Sequence, residues 1–251
     1  MVIGVRRALW TALLIVLPLA ALNSCDDREI RATVDHGPVE LDHPTAWFDL
    51  TDGAHVGHNR AGPDALANNV RVTPDPMLGL VGVFEAGSLS FLPPVHRDFT
   101  VVFWLKTTQQ GPKQMGWVTG PRLVDADWPG QALDFGLSLS LDKLAFGIGD
   151  PNDLTRDQTS MQSQRAVVDG HWHHIAVTRD GTTGVRQIFI DGVLDIQNTA
   201  LPGELKLPPT ILVGQRIATA PPSPVLNAQL ADLRFYDRVV SASAIAFLAT
   251  P

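Results

Sequence analysis

Apolar and polar residues alternate along the second half of the chain in a pattern typical of β-strands. Residues 174–179 alternate with a period of two, which places successive side chains on opposite faces of a sheet. Asp180-Gly181 opens a connection to a second strand at 187–190. Asp191-Gly192 supplies the positive backbone angles that a two-residue hairpin needs before a third strand at 193–196. The segment is therefore predicted to be an antiparallel meander.

Other parts of the chain carry shorter strand patterns. Residues 100–106 have two largely apolar faces, with Val101, Phe103 and Leu105 on one and Val102 and Trp104 on the other, as in a central strand of a sandwich. Further strands are predicted at 47–50, 78–84, 89–92, 133–141, 144–148, 211–215 and 230–236, with a turn at Gly87 and a loop at 51–62.

The remaining segments are predicted as insertions and a terminal helix. Long loops are expected at 109–131, 149–165 and 216–227, which are rich in Gly, Pro, Asp and Gln. Residues 241–248 predict a short C-terminal helix, because Ser241 can cap it and Ile245 and Leu248 share one face.

Several separated motifs resemble one family in the order in which that family shows them. These motifs are AWFD at 46–49, GSLSF at 87–91, FTVVFWLKT at 99–107, DGHWHHIAVTRDG followed by IDGVL, and ADLRFYDRVVSASAI near the end. They resemble the laminin G-like, concanavalin A-like jelly-roll family over about everything after Asp35. The resemblance implies an all-β fold, a jelly-roll sandwich of two antiparallel sheets. Because such folds serve many functions, it does not name a ligand.

The first residues are typical of an export signal. Arg6 and Arg7 precede an uncharged run at 8–22 that Pro18 interrupts and that is shorter than the roughly 20 apolar residues of a spanning helix. The following LNSC resembles the lipobox of bacterial lipoproteins, in which Cys25 becomes acylated. We therefore predict a lipoprotein signal peptide at 1–24, a tether at 25–41 and one domain at 42–251, exported and lipid-anchored to a membrane of the bacterial cell envelope.

The net charge and the cysteine count exclude some kinds of binding partner and of stabilising bond. The formal net charge of −7 would become −9 on loss of Arg6 and Arg7 with the signal peptide. An acidic chain argues against a nucleic-acid surface and against a polybasic membrane patch. Because Cys25 is the only cysteine, an internal disulfide is impossible, and the domain must be stable through core burial.

Catalytic motifs are missing from the sequence. The chain has four glutamates, none in the E-x-D-x-E spacing of the family's glucanases, and it has no G-x-S-x-G elbow. A carbohydrate-active hydrolase remains open if Asp125, Asp127 or Asp153 come together from separate loops, although Asp125 and Asp127 are more typical of a solvated loop.

Two kinds of metal site can be considered. Alternation puts His171 and His173 on one face and His174 on the other, so packing is favoured over zinc ligation. The family resemblance implies a structural calcium ion near Asp232, to which Asp49 and the loop at 52–59 would bring further oxygen ligands.

Trp117 and Trp128 are the candidate ligand-binding residues. Both lie in the insertion at 109–131, where exposed rings would stack on sugars, although the favoured interpretation is that they plug the edge of the sandwich, since tryptophan is rarely left in water. We expect a noncatalytic recognition domain for a glycan or an envelope or extracellular protein. The hydrolase and a structural envelope protein remain alternatives, and the oligomeric state is open.

Overall fold

The computed structural model describes residues 38, 41–113, 116–152, 159–217 and 224–251. The predicted signal peptide, Cys25 and Asp153 lie outside the described residues. Residues Gly37–Pro251 form one compact unit. Leu41, placed at the end of the predicted tether, is part of this unit and is buried in one of its apolar clusters. No helix within the described ranges is long and apolar enough to cross a membrane.

Thirteen strands and one short helix are found in the described part of the chain. They are β1 Ala46–Phe48, β2 Leu66–Asp75, β3 Gly79–Phe91, β4 Phe99–Lys106, β5 Arg122–Ala126, β6 Phe135–Ser140, β7 Lys143–Ile148, β8 Ser160–Gln162, β9 His173–Arg179, β10 Val185–Ile190, β11 Val193–Thr199, β12 Ile211–Val213, β13 Asn227–Tyr236 and α1 Ala242–Leu248.

The long strand β3 links two antiparallel sheets. Its first half pairs with β13 and continues the order β11-β10-β9-β4-β13-β3, whereas Leu89–Phe91 pair with β12 and continue to β5, β6, β7 and β8. Ala86 has a positive φ of 61° between the halves, and the β2 pairing shifts register opposite it, between Asn68 and Val70. This bulge lets one strand serve both sheets.

The two sheets pack face to face. Phe99 of β4 lies 4.6 Å, ring centroid to centroid, from Phe135 of β6, and 6.0 Å from Phe146 of β7. These strands are far apart along the hydrogen-bonded path, so the contacts require the path to fold over into two layers. The predicted all-β jelly-roll sandwich is confirmed.

The C-terminal helix covers the outer face of the first sheet. Ile245 and Leu248 of α1 join a buried cluster with Val102 of β4 and Phe189 of β10, while Val101 and the other inward residues of β4 belong to the central core. Both the helix and the two apolar faces of β4 are as predicted. The Ser241 hydroxyl accepts a hydrogen bond from the Ala244 backbone N–H (3.2 Å), as expected for its cap.

The predicted meander is confirmed as β9, β10 and β11, and Asp191 and Gly192 have the positive φ angles expected at its hairpin. The predicted turn at Gly87 is wrong, because β3 runs through it. A side chain at Gly87 would meet the Asn69 carbonyl oxygen at 2.3 Å, so close strand approach explains this glycine. The segments predicted as insertions at 109–131 and 149–165 contain β5 and β8, and β2 is a further strand that was not predicted.

Candidate functional site

Two arginines point into the interior at one end of the sandwich. Arg179 of β9 and Arg186 of β10 are direct cross-strand partners. Arg179 lies on the same face as the core residue Val177, and Arg186 on the same face as Ile188. Both arginines are almost completely buried, at 0% and 1% exposure. Burial lowers the pKa of Arg186 to about 10, so its guanidinium is still charged at neutral pH.

The Arg186 guanidinium bridges the two sheets. Its Nε donates to the Asn198 side-chain oxygen (2.6 Å), and its Nη1 donates to the carbonyl oxygens of Phe146 (3.4 Å) and Thr159. No acceptor for Nη2 is found among the described residues. Arg186 therefore has one unused pair of N–H donors.

Arg179 fixes a neighbouring loop. Its Nη2 donates to the carbonyl oxygens of Leu201 (3.1 Å) and Gly203 (2.9 Å), and its Nη1 donates to the Arg97 carbonyl. Burial lowers the pKa of this guanidinium too. The loop that Arg179 holds is consequently ordered against the end of β11.

A cleft of about 350 Å³ opens beside these arginines, and we call it the loop-end cleft. Its volume lies within the range of about 300–1,000 Å³ that is typical of small-molecule sites. Residues 153–158, which follow one of its walls, lie outside the described residues. It is lined by Ile148, Asp150, Asn152, Thr159, Arg186, Thr199, Ala200, Leu201 and Pro202.

A second cleft lies at the edge formed by β1 and β3. It measures about 240 Å³, and its walls include Leu92, Pro93, Pro94 and His96. Because it is smaller and its described wall contains no buried charged side chain, it is the weaker candidate.

The structure corrects the prediction that Trp117 presents an exposed ring. Trp117 is completely buried, and its indole covers the positions where Gly136 and Gly147 lack side chains. A Cβ at Gly147 would meet the indole Cδ1 at 1.9 Å, so only glycine leaves the necessary room. Trp117 plugs the surface of β6 and β7, in agreement with the favoured interpretation.

Trp128 is the more accessible of the two predicted tryptophans, at 41% exposure. Its backbone N–H donates to the Asp134 carboxylate (2.8 Å), and the Asp134 carbonyl accepts from Gly149 (2.9 Å), the residue before Asp150. The Trp128 loop is thus connected to a wall of the loop-end cleft.

The predicted calcium ligands do not fit a calcium ion in this structure. Asp49 is paired with Arg60, and Asp232 makes a bidentate pair with Arg234 (2.9 and 2.8 Å) and accepts from Trp47 Nε1 (2.7 Å). Both guanidinium groups also stack on the Trp47 ring, at 4.9 and 4.3 Å from its centroid. Within the described residues no group of three or more acidic, histidine or cysteine side chains forms a metal site. Calcium would have to displace two arginines from their carboxylates.

The carboxylates considered for catalysis are also engaged. Contrary to the solvated loop expected, Asp125 and Asp127 are buried. Arg122 Nε lies 2.9 Å from Asp125, and Arg216 Nη2 lies 3.3 Å from Asp127. Burial raises the pKa of Asp125, against the opposing effect of Arg122. Neither carboxylate lines either of the two clefts described above.

The histidine cluster divides as alternation predicts. His174 packs edge-on against Trp104 (5.2 Å between centroids) and is buried on the outer face of the sheet. His173 lies between the carboxylates of Asp169 (3.2 Å) and Asp191 (3.1 Å). The favoured interpretation, structural packing, agrees with this geometry.

Sequence reasoning missed Arg179 and Arg186 as site residues. The signal was an arginine at an inward position of each strand, where the alternation calls for an apolar side chain.

Comparison with solved structures shows the same fold in proteins of low sequence identity. The receptor-binding domain of botulinum neurotoxin C/D mosaic serotype matches with 12% identity, 83% of this chain, 51% of that chain and a TM-score of 0.60. The botulinum neurotoxin serotype D ligand-binding domain, in complex with N-acetylneuraminic acid, has 12% sequence identity and a TM-score of 0.59. The match covers 83% of this chain and 50% of that chain. This chain thus spans about half the length of these toxin domains.

A further match covers nearly the whole of a smaller domain. It is domain 4 of a GH43 extracellular arabinanase from Geobacillus stearothermophilus, in complex with arabinotriose, with 15% identity over 82% of this chain and 98% of that one and a TM-score of 0.62. A search of curated proteins found no match.

A family model agrees with the fold. The model described as concanavalin A-like lectin/glucanases superfamily matches residues 83–246, which is more than half of the chain. The matched range begins within β3 and ends within α1, so it contains both buried arginines and the loop-end cleft. The chain belongs to the concanavalin A-like lectin/glucanases superfamily.

Proposed function

We propose that the chain is a noncatalytic glycan-recognition domain whose binding site is the loop-end cleft. The observation that carries the proposal is the cleft itself, which combines apolar walls at Leu201 and Pro202 with polar groups of Asn152, Thr199 and Arg186. Sugars present both hydroxyl groups and apolar ring faces, so this combination suits them. The ion pairs of Asp125 and Asp127 favour recognition over hydrolysis.

The fold neighbours support this choice of ligand class. One was solved with arabinotriose and another with N-acetylneuraminic acid, so sandwiches of this shape occur in proteins that hold sugars. Trp128 stays the predicted stacking residue, because its loop is joined to the cleft wall.

A glycan panel tests the proposal with the purified full chain. Thr199 is exposed at the end of β11, so Thr199→Trp should fill the cleft and abolish binding without disturbing the core. Leu92→Trp, which adds a comparable ring at the smaller cleft, is the matched control and should bind as the wild type does. Binding that survives Thr199→Trp but is lost in Leu92→Trp would move the site to the edge of β1 and β3. Absence of binding to every glycan would refute the proposal and favour a protein ligand.

We also propose that Cys25 is acylated and anchors the domain to a membrane of the cell envelope. Support comes from the basic start, the apolar run and the LNSC sequence. Intact-mass measurement of membrane-extracted protein should show the lipid on the wild type. A Cys25→Ser variant that is processed and membrane-bound in the same way as the wild type would contradict this proposal.

A further inference from the structure

The buried arginines of the described chain are not all neutralised in the same way. Arg122 lies 2.9 Å from Asp125 and 3.8 Å from Asp127, as expected when a charge leaves water. Arg179 and Arg186 are equally buried, yet they bind only backbone carbonyls and one amide side chain in the described structure. Among the described residues, therefore, no carboxylate lies at ion-pair distance from the two guanidinium groups at this end of the sandwich.

The position of the two arginines concentrates this charge. Arg179 and Arg186 are opposite each other on adjacent strands, where side chains are roughly 5 Å apart at their Cβ atoms and like charges repel. Asp98 and Asp180 act on Arg179 only beyond ion-pair distance, and Asp98 is within 3.5 Å of Arg97. Such an arrangement is costly in the free protein and becomes favourable when an anion lies against it.

The two guanidinium groups have different hydrogen-bond partners and different positions relative to the cleft. Those of Arg179 hold the loop at 201–203, so Arg179 contributes charge and order rather than contact. Arg186 lines the cleft with Nη2 unused, and its Nε and Nη1 are fixed by Asn198, Phe146 and Thr159. A guanidinium held in this way is preorganised to donate to an oxyanion.

We infer that the loop-end cleft selects glycans that carry a carboxylate, which would accept hydrogen bonds from Arg186 Nη2, reinforced by the charge of Arg179. The inference rests on the proposed function and specifies its ligand class. Asp150 is an opposing charge among the described residues that line the cleft, and one of its carboxylate oxygens accepts a hydrogen bond from the Asn152 N–H (2.8 Å). Asp150→Asn is consequently expected to strengthen the binding of acidic sugars.

The decisive experiment compares acids with their methyl esters on the wild-type full chain. Uronic-acid oligosaccharides and N-acetylneuraminic-acid oligosaccharides are titrated beside their methyl-esterified forms, which keep the sugar and lose the charge. We expect the acid to bind about 10–100-fold more tightly than the ester, as a hydrogen bond between charged groups would give, and more weakly as NaCl rises.

Variants of Arg186 test whether this residue causes the preference for acids over methyl esters. Arg186→Gln should remove the preference for acids, and Arg186→Lys should keep part of it, provided that each variant retains the wild-type circular dichroism. Arg71→Gln removes an exposed arginine of β2 away from the cleft and is the matched control. If Arg186→Gln does not fold, Asp150→Asn decides the question, because it should strengthen the binding of the acid more than that of the ester only if the acid lies in the loop-end cleft.

Each outcome has a separate meaning. Equal affinity for acid and ester in a chain that binds glycans at the loop-end cleft would overturn the inference and leave the proposed function intact. A preference for acids that Arg186→Gln does not change would also overturn it, because the charge would then be read elsewhere. Failure to bind any glycan would refute both.

Discussion

His174 should make the domain lose stability as the pH falls below neutrality. Its ring is buried against Trp104, and desolvation lowers the pKa of His174 from 6.5 to about 4. The unfolded chain takes up this proton near pH 6.5, whereas the folded chain resists it until about pH 4. Between these values the unfolded state binds more protons, so the free energy of unfolding falls as the pH is lowered.

The size of the effect follows from the two pKa values. A difference of about 2.5 pKa units corresponds to about 3 kcal/mol in total, of which about 2 kcal/mol is lost between pH 7 and pH 5. Stabilities of whole domains are about 5–15 kcal/mol, so the loss is large enough to measure. Carboxylates whose pKa values are lowered in the fold, such as Asp169 and Asp180, act mainly at lower pH.

Urea unfolding from pH 7 to pH 4.5 measures the effect against a variant that cannot titrate. His174→Phe keeps an aromatic ring beside Trp104, and we expect it to lose about 2 kcal/mol less than the wild type between pH 7 and pH 5. His43→Asn removes an exposed histidine instead and is the matched control, expected to follow the wild type. Parallel pH profiles for the wild type and His174→Phe would refute the reasoning.

Three further predictions concern positions where sequence and structure can be compared directly. Trp117→Ala should destabilise the domain by about 3–5 kcal/mol in urea unfolding because it empties a buried site, whereas Trp128→Ala at a 41% exposed ring should cost less than about 1 kcal/mol. Asp125→Asn should cost about 3–5 kcal/mol because Arg122 loses a buried partner, and a change below about 1 kcal/mol would contradict the buried ion pair. Adding calcium or EDTA should leave the thermal midpoint unchanged, since arginines pair with Asp49 and Asp232, and a calcium-dependent rise would restore the calcium site.

The elements that the sequence predicts well are those whose pattern is local. Strand β9 shows its period of two directly, and Asp191-Gly192 can form the hairpin without help from distant residues. Ser241 likewise caps α1 through a bond three residues away. For these elements, neighbouring residues contain all the information that determines the backbone.

The elements that escape prediction depend on distant partners. Strand β2 is mostly exposed, and the residues that it packs against the core are Val70 and Val72, so its apolar face is too short to predict a strand without the pairing with β3. Asp125 and Asp127 resemble a solvated pair in the sequence, but residues far along the chain bind them, since Arg216 pairs with Asp127 and the Ile217 N–H donates to Asp125. Trp117 is buried because Gly136 and Gly147 on two later strands make room for its ring.

The inward arginines differ from these cases, because their departure from the pattern is visible in the sequence itself. An arginine at an inward position of a strand must be compensated, and the fold compensates Arg122 with carboxylates. For Arg186 no carboxylate partner is found in the described part of the chain, where its guanidinium binds carbonyl oxygens and one side-chain amide instead. Proteins tend to keep such costly departures at sites that bind something. An uncompensated inward charge that borders a cleft is therefore better evidence for a ligand site than an exposed tryptophan in a loop.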